Sequence, residues 1–231
     1  MAGRDVVLIV GAGAGLSAAL ARRFARAGAS VALASRDTAK LAALQAETDS
    51  RLIQCDASTE PDVRRLFDEC DATLGAPSIV VYNPSYRTRG PLVDLQPAEV
   101  AKTLMVSAFG GFLVGQQAAR RMLAAGRGAI LFTGASASVK GYAQLAPFAM
   151  GKFALRGLAQ SMARELAPKN IHVAHFIIDG GIRSATRPVP ADNPDSFLDP
   201  AAIADTYFHV AQQPRSAWTW EIEVRPWVER F

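Results

Sequence analysis

Val6–Val10 (VVLIV) runs straight into Gly11-Ala12-Gly13-Ala14-Gly15, and Leu16, Leu20 and Phe24 then recur at helical spacing up to Gly28. A continuous apolar run predicts a strand buried on both faces, and a 3.6-residue repeat predicts a helix. The glycines between them permit a tight turn and let another group approach the backbone closely. A chain that opens in this way is already committed to a strand–turn–helix unit.

The pattern repeats. Ser30–Ala34 (SVALA), Arg51–Cys55 (RLIQC), Ser78–Tyr82 (SIVVY), Gly128–Thr133 (GAILFT) and Ile171–Ile178 (IHVAHFII) read as strands, with a last strand-like run at 218–226 (WTWEIEVRP). Between them Thr38–Glu47, Pro61–Leu74, Pro97–Ala125 and Lys152–Leu166 read as helices. Such alternation predicts an α/β protein with a parallel sheet covered by helices on both faces. At 231 residues and 50% hydrophobic content the chain has enough apolar material for one large core, and a single domain over 1–231 is expected. The segment 184–200, rich in Pro, Asp and Asn, is expected to be a substrate loop or lid.

Other classes are disfavoured. The net charge is only +4 and the basic residues are scattered, so no nucleic-acid partner is expected. Cys55 and Cys70 form no disulfide framework, and with His172, His175 and His209 they match no metal pattern, which suits a reducing, cytoplasmic setting. No uninterrupted apolar stretch is long enough for a membrane span, so no membrane association is expected.

A glycine turn that opens a helix offers free backbone N–H groups and a positive dipole end to a phosphate. Gly11, Gly13, Ala14, Gly15 and Leu16 are therefore candidate diphosphate contacts. At the end of the second strand Ser35 stands where an acid would accept from a ribose hydroxyl, and Arg36 beside it suits a 2′-phosphate. NADP is favoured on that ground, and Asp37 keeps NAD open.

The glycine turn, Asp56 after the third strand, Asn83 after the fourth and Lys152 at a helix start together resemble the short-chain dehydrogenase/reductase family over nearly the whole chain. The resemblance implies a doubly wound Rossmann fold of about seven strands, a nicotinamide coenzyme, a small-molecule substrate and a homodimer or homotetramer. It assigns Asp56 and Ala57 to the adenine, Asn83 to the central loop, Gly180 and Ile182 to the nicotinamide end, and Lys152 to the nicotinamide ribose.

The catalytic positions depart from the family pattern. The Y-x-x-x-K box aligns with Phe148-Ala149-Met150-Gly151-Lys152, so the tyrosine is a phenylalanine. The serine position falls on Ala135, with Ser136 and Ser138 close by, and the helix asparagine aligns with Ser107. Phenylalanine cannot transfer a proton. Lys152, Ser136 and Tyr142 are the candidate catalytic residues for hydride exchange with a carbonyl or enoyl substrate through another proton donor. The alternative is a coenzyme-binding module without turnover, acting as a sensor or oligomer partner.

Overall fold

A computed structural model describes residues 4–184 and 187–229. Seven strands form one parallel sheet: β1 (Val6–Val10), β2 (Ser30–Ser35), β3 (Arg51–Gln54), β4 (Ile79–Tyr82), β5 (Gly128–Thr133), β6 (Ile171–Ile178) and β7 (Glu221–Val224). Their spatial order is β3-β2-β1-β4-β5-β6-β7. The chain order therefore reverses between β1 and β4, and a crevice opens at the carboxyl ends of those strands, where α/β sheets take their ligands. The alternating pattern predicted the parallel sheet with helices on both faces, and the doubly wound Rossmann architecture is the one that the family resemblance implied.

The helices are α1 (Leu16–Arg26), α2 (Ala42–Thr48), α3 (Glu60–Thr73), α4 (Pro97–Leu104), α5 (Gly110–Ala125), α6 (Ala146–Leu166) and α7 (Pro200–Ala211). The two sides of the sheet bury separate cores. One gathers Leu8, Phe67, Tyr82 and Phe132 with α3, α5 and α6; the other gathers Ile9, Phe24, Leu33 and Tyr207 with α1 and α7. β1, β4 and β6 are buried along their whole length, as their unbroken apolar runs require.

Helix α6 begins at Ala146, six residues before the start that the sequence pattern placed at Lys152, with Pro147 in its first turn. Both Phe148 and Lys152 thus stand one turn apart on one helix. The run from Pro97 to Ala125 is helical throughout but contains a π turn at Met105–Phe109. The Tyr82 hydroxyl reaches from β4 to donate to the Val106 carbonyl within that turn. By length and composition this is a helix that would pass for a membrane span, yet Leu113, Val114, Ala118 and Met122 are buried against the sheet.

Its glycines serve close packing. A Cβ on Gly110 would lie 2.5 Å from the Ala57 carbonyl oxygen, and one on Gly111 2.5 Å from a Leu155 methyl. The approach of α5 to β4 and α6 offsets the roughly 1 kcal/mol that each mid-helix glycine costs.

Candidate active site

The crevice is one groove with two ends. At the first end β1 gives way to the glycine turn. Gly11 has φ +81°, and a Cβ there would lie 2.6 Å from the Pro84 nitrogen. Its N–H and that of Ala12 both donate to the Ala34 carbonyl, at 3.0 and 2.9 Å, which closes the turn against β2. Gly13 and Gly15 differ: a Cβ on either meets no protein atom within 4 Å. Gly15 caps α1 without any side-chain hydrogen bond, and no acid stands in the first turn. An open cradle at an uncapped, acid-free helix N-terminus fits a diphosphate.

Ser17, which stands where the family pattern has a glycine, has a definite role. It is buried, donates from Oγ to the Gly11 carbonyl at 3.0 Å, and accepts from Asn83 Nδ2 at 2.7 Å. The hydroxyl thus ties the turn after β1 to the loop after β4. Nothing in the spacing of the two residues announces this link.

A cavity of about 300 Å³ continues from the turn and is lined by Gly11, Ser35, Arg36, Asp56, Ala57 and Asn83. Asp56 accepts from Ser58 N–H at 3.0 Å and from Ser58 Oγ at 2.6 Å, so its side chain is held in place. Asp37 faces other partners: it caps the Ala39 N–H and pairs with Lys40 at 2.9 Å. The Lys40 contact is the main reason its carboxyl titrates below the usual range. Arg36 is exposed, and no ion pair joins it to a described carboxylate.

The second end is a cavity of about 350 Å³ where Leu16, Asn83, Ser136, Phe148, Lys152 and Gly180 meet. Ile182 lines it too, while Ala14 borders a neighbouring hollow beside Gly15. Lys152 is 2% exposed, and Nζ donates to the Thr133 carbonyl at 2.7 Å. Burial first, and then the Arg87 charge, pull its pKa down to about 8. Thr133 is itself fixed, because its Oγ1 accepts from Tyr207 at 2.9 Å.

The hydroxyl candidates separate. Ser136 starts a short 3-10 turn and lines the cavity. Ser138 is fully buried and accepts the Ala135 N–H at 3.1 Å, a structural bond. Tyr142 is 42% exposed and does not line this cavity. Ser107 sits in the π turn, fully buried, and its Oγ has no described partner. It packs against Gly151, whose hypothetical Cβ would fall 2.8 Å from the Ser107 Cβ.

Behind the cavity lies a pair that the sequence pattern did not reveal. His175 is fully buried, with Nδ1 3.0 Å from Glu221 Oε2, and Arg156 grips the same carboxylate through two bonds of 2.7 Å. Burial drives the His175 pKa down to about 4 and outweighs the opposing pull of Glu221. The ring is therefore neutral at physiological pH and donates from Nδ1 to the carboxylate. Nε2 abuts Gly134, where a Cβ would lie 2.3 Å away, so only glycine fits at that point of the cavity wall.

The loop after β6 is tied down at several points. Leu198 donates to the Gly181 carbonyl at 2.8 Å, Arg183 donates to the Leu198 carbonyl at 3.0 Å, and Trp227 donates to Asp195 at 2.8 Å. Residues 185 and 186 of the expected lid lie outside the described residues.

These features define a Rossmann protein with a dinucleotide groove. Residues 5–189 match the family model for short chain dehydrogenase, and the chain belongs to that family. A short-chain dehydrogenase from Rhodopseudomonas palustris superposes with a TM-score of 0.84 at 39% identity, over 96% of this chain and 99% of that one. A metagenomic short-chain oxidoreductase in complex with NADP gives 0.84 at 27% identity, over 97% and 98%. Carbonyl reductase family member 4 of Danio rerio is 26% identical over 221 residues, 90% of this chain and 92% of that protein.

Proposed function

We propose that this chain is an NADP(H)-dependent oxidoreductase that exchanges hydride with a small carbonyl or enoyl substrate and draws its proton from a group other than tyrosine. The observation that carries this reading is a pair of cavities that share Asn83 and Ser85, one lined by the glycine turn and Asp56 and the other reaching from Gly15 to a buried Lys152. Bound there, the coenzyme would supply or accept the hydride. Gly11, Gly13, Ala14, Gly15 and Leu16 would hold its diphosphate, Asp56 and Ala57 the adenine, and Gly180, Ile182 and Asn83 the nicotinamide half.

Arg36 is the basis for NADP over NAD. Its guanidinium is available to a 2′-phosphate, while Asp37 is engaged with Lys40. The NADP complex of the metagenomic relative supports the same choice.

Lys152 is the proton source this geometry favours over Ser136 and Tyr142. An ammonium with a pKa near 8 holds its proton at neutral pH and releases it far more readily than an ordinary lysine. Phe148, 4% exposed, keeps the surroundings apolar and so helps to hold that pKa down.

The test is an NADPH titration followed by coenzyme oxidation against a panel of ketones and enones. We expect binding, turnover of at least one substrate class, and a rate that falls as pH rises through about 8. A rate that collapses instead in Ser136→Ala or Tyr142→Phe would transfer the donor role. Binding without any turnover would make the chain a coenzyme-binding module.

A homodimer or homotetramer is part of the same proposal. Met105, Phe109, Phe112, Met150 and Phe153 are each between 40% and 49% exposed on α5, α6 and the π turn. That much bare apolar surface on neighbouring helices suits a second copy. Light scattering at micromolar concentration should give twice or four times the 24.6 kDa chain mass.

A further inference from the structure

The reaction end of the groove, on the oxidoreductase reading above, also says what its substrate carries. Arg87 follows β4 and lays its guanidinium over the face of Phe148, 4.1 Å from the ring centroid. The ring that lacks a hydroxyl thus carries a cation instead. Arg187 lines the same cavity from the loop after β6, with its guanidinium 5.8 Å from the Phe197 ring. Arg183 lines it as well but is paired with Asp199 at 2.6 Å.

Among the described residues, no ion pair joins Arg87 or Arg187 to a carboxylate, and no Asp or Glu lines the cavity. Arg87, Arg187 and Lys152 therefore share about 350 Å³ with no acid among the lining side chains. Partial burial, Arg89 and Arg187 lower the pKa of Arg87, and Arg87 in turn contributes to the lowered pKa of Lys152. Like charges gathered in this way cost free energy, and an anion placed between them recovers it.

We propose that this cavity selects a substrate bearing a carboxylate, gripped by Arg87 and Arg187, with the reacting carbonyl or enoyl group beside Lys152. Two features argue for a substrate carboxylate rather than a coenzyme phosphate. Stacking on Phe148 fixes Arg87 beside the ring that Lys152 also approaches, and Gly11 and Arg36 line the other cavity, while Gly15 and Leu16 border this one. A guanidinium fork also matches a planar carboxylate through two parallel N–H···O bonds. The aromatic face holds the fork in place, so less side-chain freedom is lost when the anion binds.

Calorimetry with malonate, and with neutral dimethyl malonate, tests this in the presence and absence of NADPH. We expect malonate to bind at least about tenfold more tightly than the diester. Arg87→Met and Arg187→Met should each weaken malonate by about tenfold or more while the NADPH affinity stays within about twofold. Arg87→Lys, which keeps the charge and loses the fork, should fall between Arg87→Met and the parent chain. Absent malonate heat under both conditions, or equal binding of malonate and diester, would overturn the proposal. So would an Arg87→Met variant that loses malonate and NADPH in parallel, because the guanidinium would then serve the coenzyme. The NADPH titration is read separately, so failure of coenzyme binding is distinguished from failure of anion recognition.

Discussion

The coenzyme end and the reaction end of this groove are built on the same sheet, but backbone fixes one and side chains fix the other. At the coenzyme end the determinants are a left-handed Gly11, two glycines with open space above them and a helix N-terminus. At the reaction end they are an arginine stacked on a phenylalanine, a buried lysine on a carbonyl and a buried histidine–carboxylate pair. Backbone determinants tolerate few residue types. Side-chain determinants can be exchanged one at a time, and at the positions where the resemblance leads one to expect tyrosine, serine and asparagine this chain carries Phe148, Ala135 and Ser107.

The sharpest way to break this contrast is at the glycines. Gly11→Ala combines a φ of +81° with a Cβ 2.6 Å from Pro84, and we expect a loss of about 3 kcal/mol in folding stability by denaturant titration. Gly13→Ala should stay within about 1 kcal/mol of the parent stability yet weaken NADPH by about 10- to 100-fold, because its methyl group enters only ligand space. Equal effects of the two substitutions on stability would erase the distinction between a turn glycine and a cradle glycine.

The next largest effect falls at the reaction end. If Lys152 is the proposed proton source and ribose contact, Lys152→Met should lower kcat/KM by about 100-fold in steady-state kinetics. A smaller change is expected at Arg36. Arg36→Gln should raise the Kd for NADPH by about tenfold and leave NADH nearly unchanged, since one charge-assisted contact is lost.

The smallest effect concerns pH and stability. The Lys152 pKa is about 8 in the folded chain against 10.5 for an ordinary lysine, so the unfolded chain binds more protons between those limits. Stability therefore gains from Lys152 as pH rises from about 8 towards 10.5, and its burial cost is fully present below that window. Buried Cys55 and Cys70, each pushed up to about 12, act in the opposite direction above the ordinary thiol value of 9.0. Subtracting the Lys152→Met stability profile from that of the parent isolates the lysine contribution. A flat difference between pH 8 and pH 10 would show that the ammonium is not desolvated.

Much of this protein is legible in its order of residues. The unbroken apolar runs specify strands buried on both faces, the helical repeats between them specify the crossovers, and three glycines after β1 specify the turn. Each of these signals is local, because hydrophobic periodicity and glycine torsion act within a few residues. Even the phenylalanine at the position expected for a tyrosine can be read directly at Phe148.

The tertiary structure decided what surrounds Phe148. Arg87 and Phe148 are brought together from a loop and a helix, Ser17 meets Asn83 across the switch point, and His175 finds Glu221 on the neighbouring strand. Asp37 turns toward Lys40 and away from the groove. These pairings depend on strand order and on the close approach of helices, and neither leaves a periodic trace in the chain. Residues far apart in sequence share an environment only once burial of both faces of the sheet has fixed where every loop emerges.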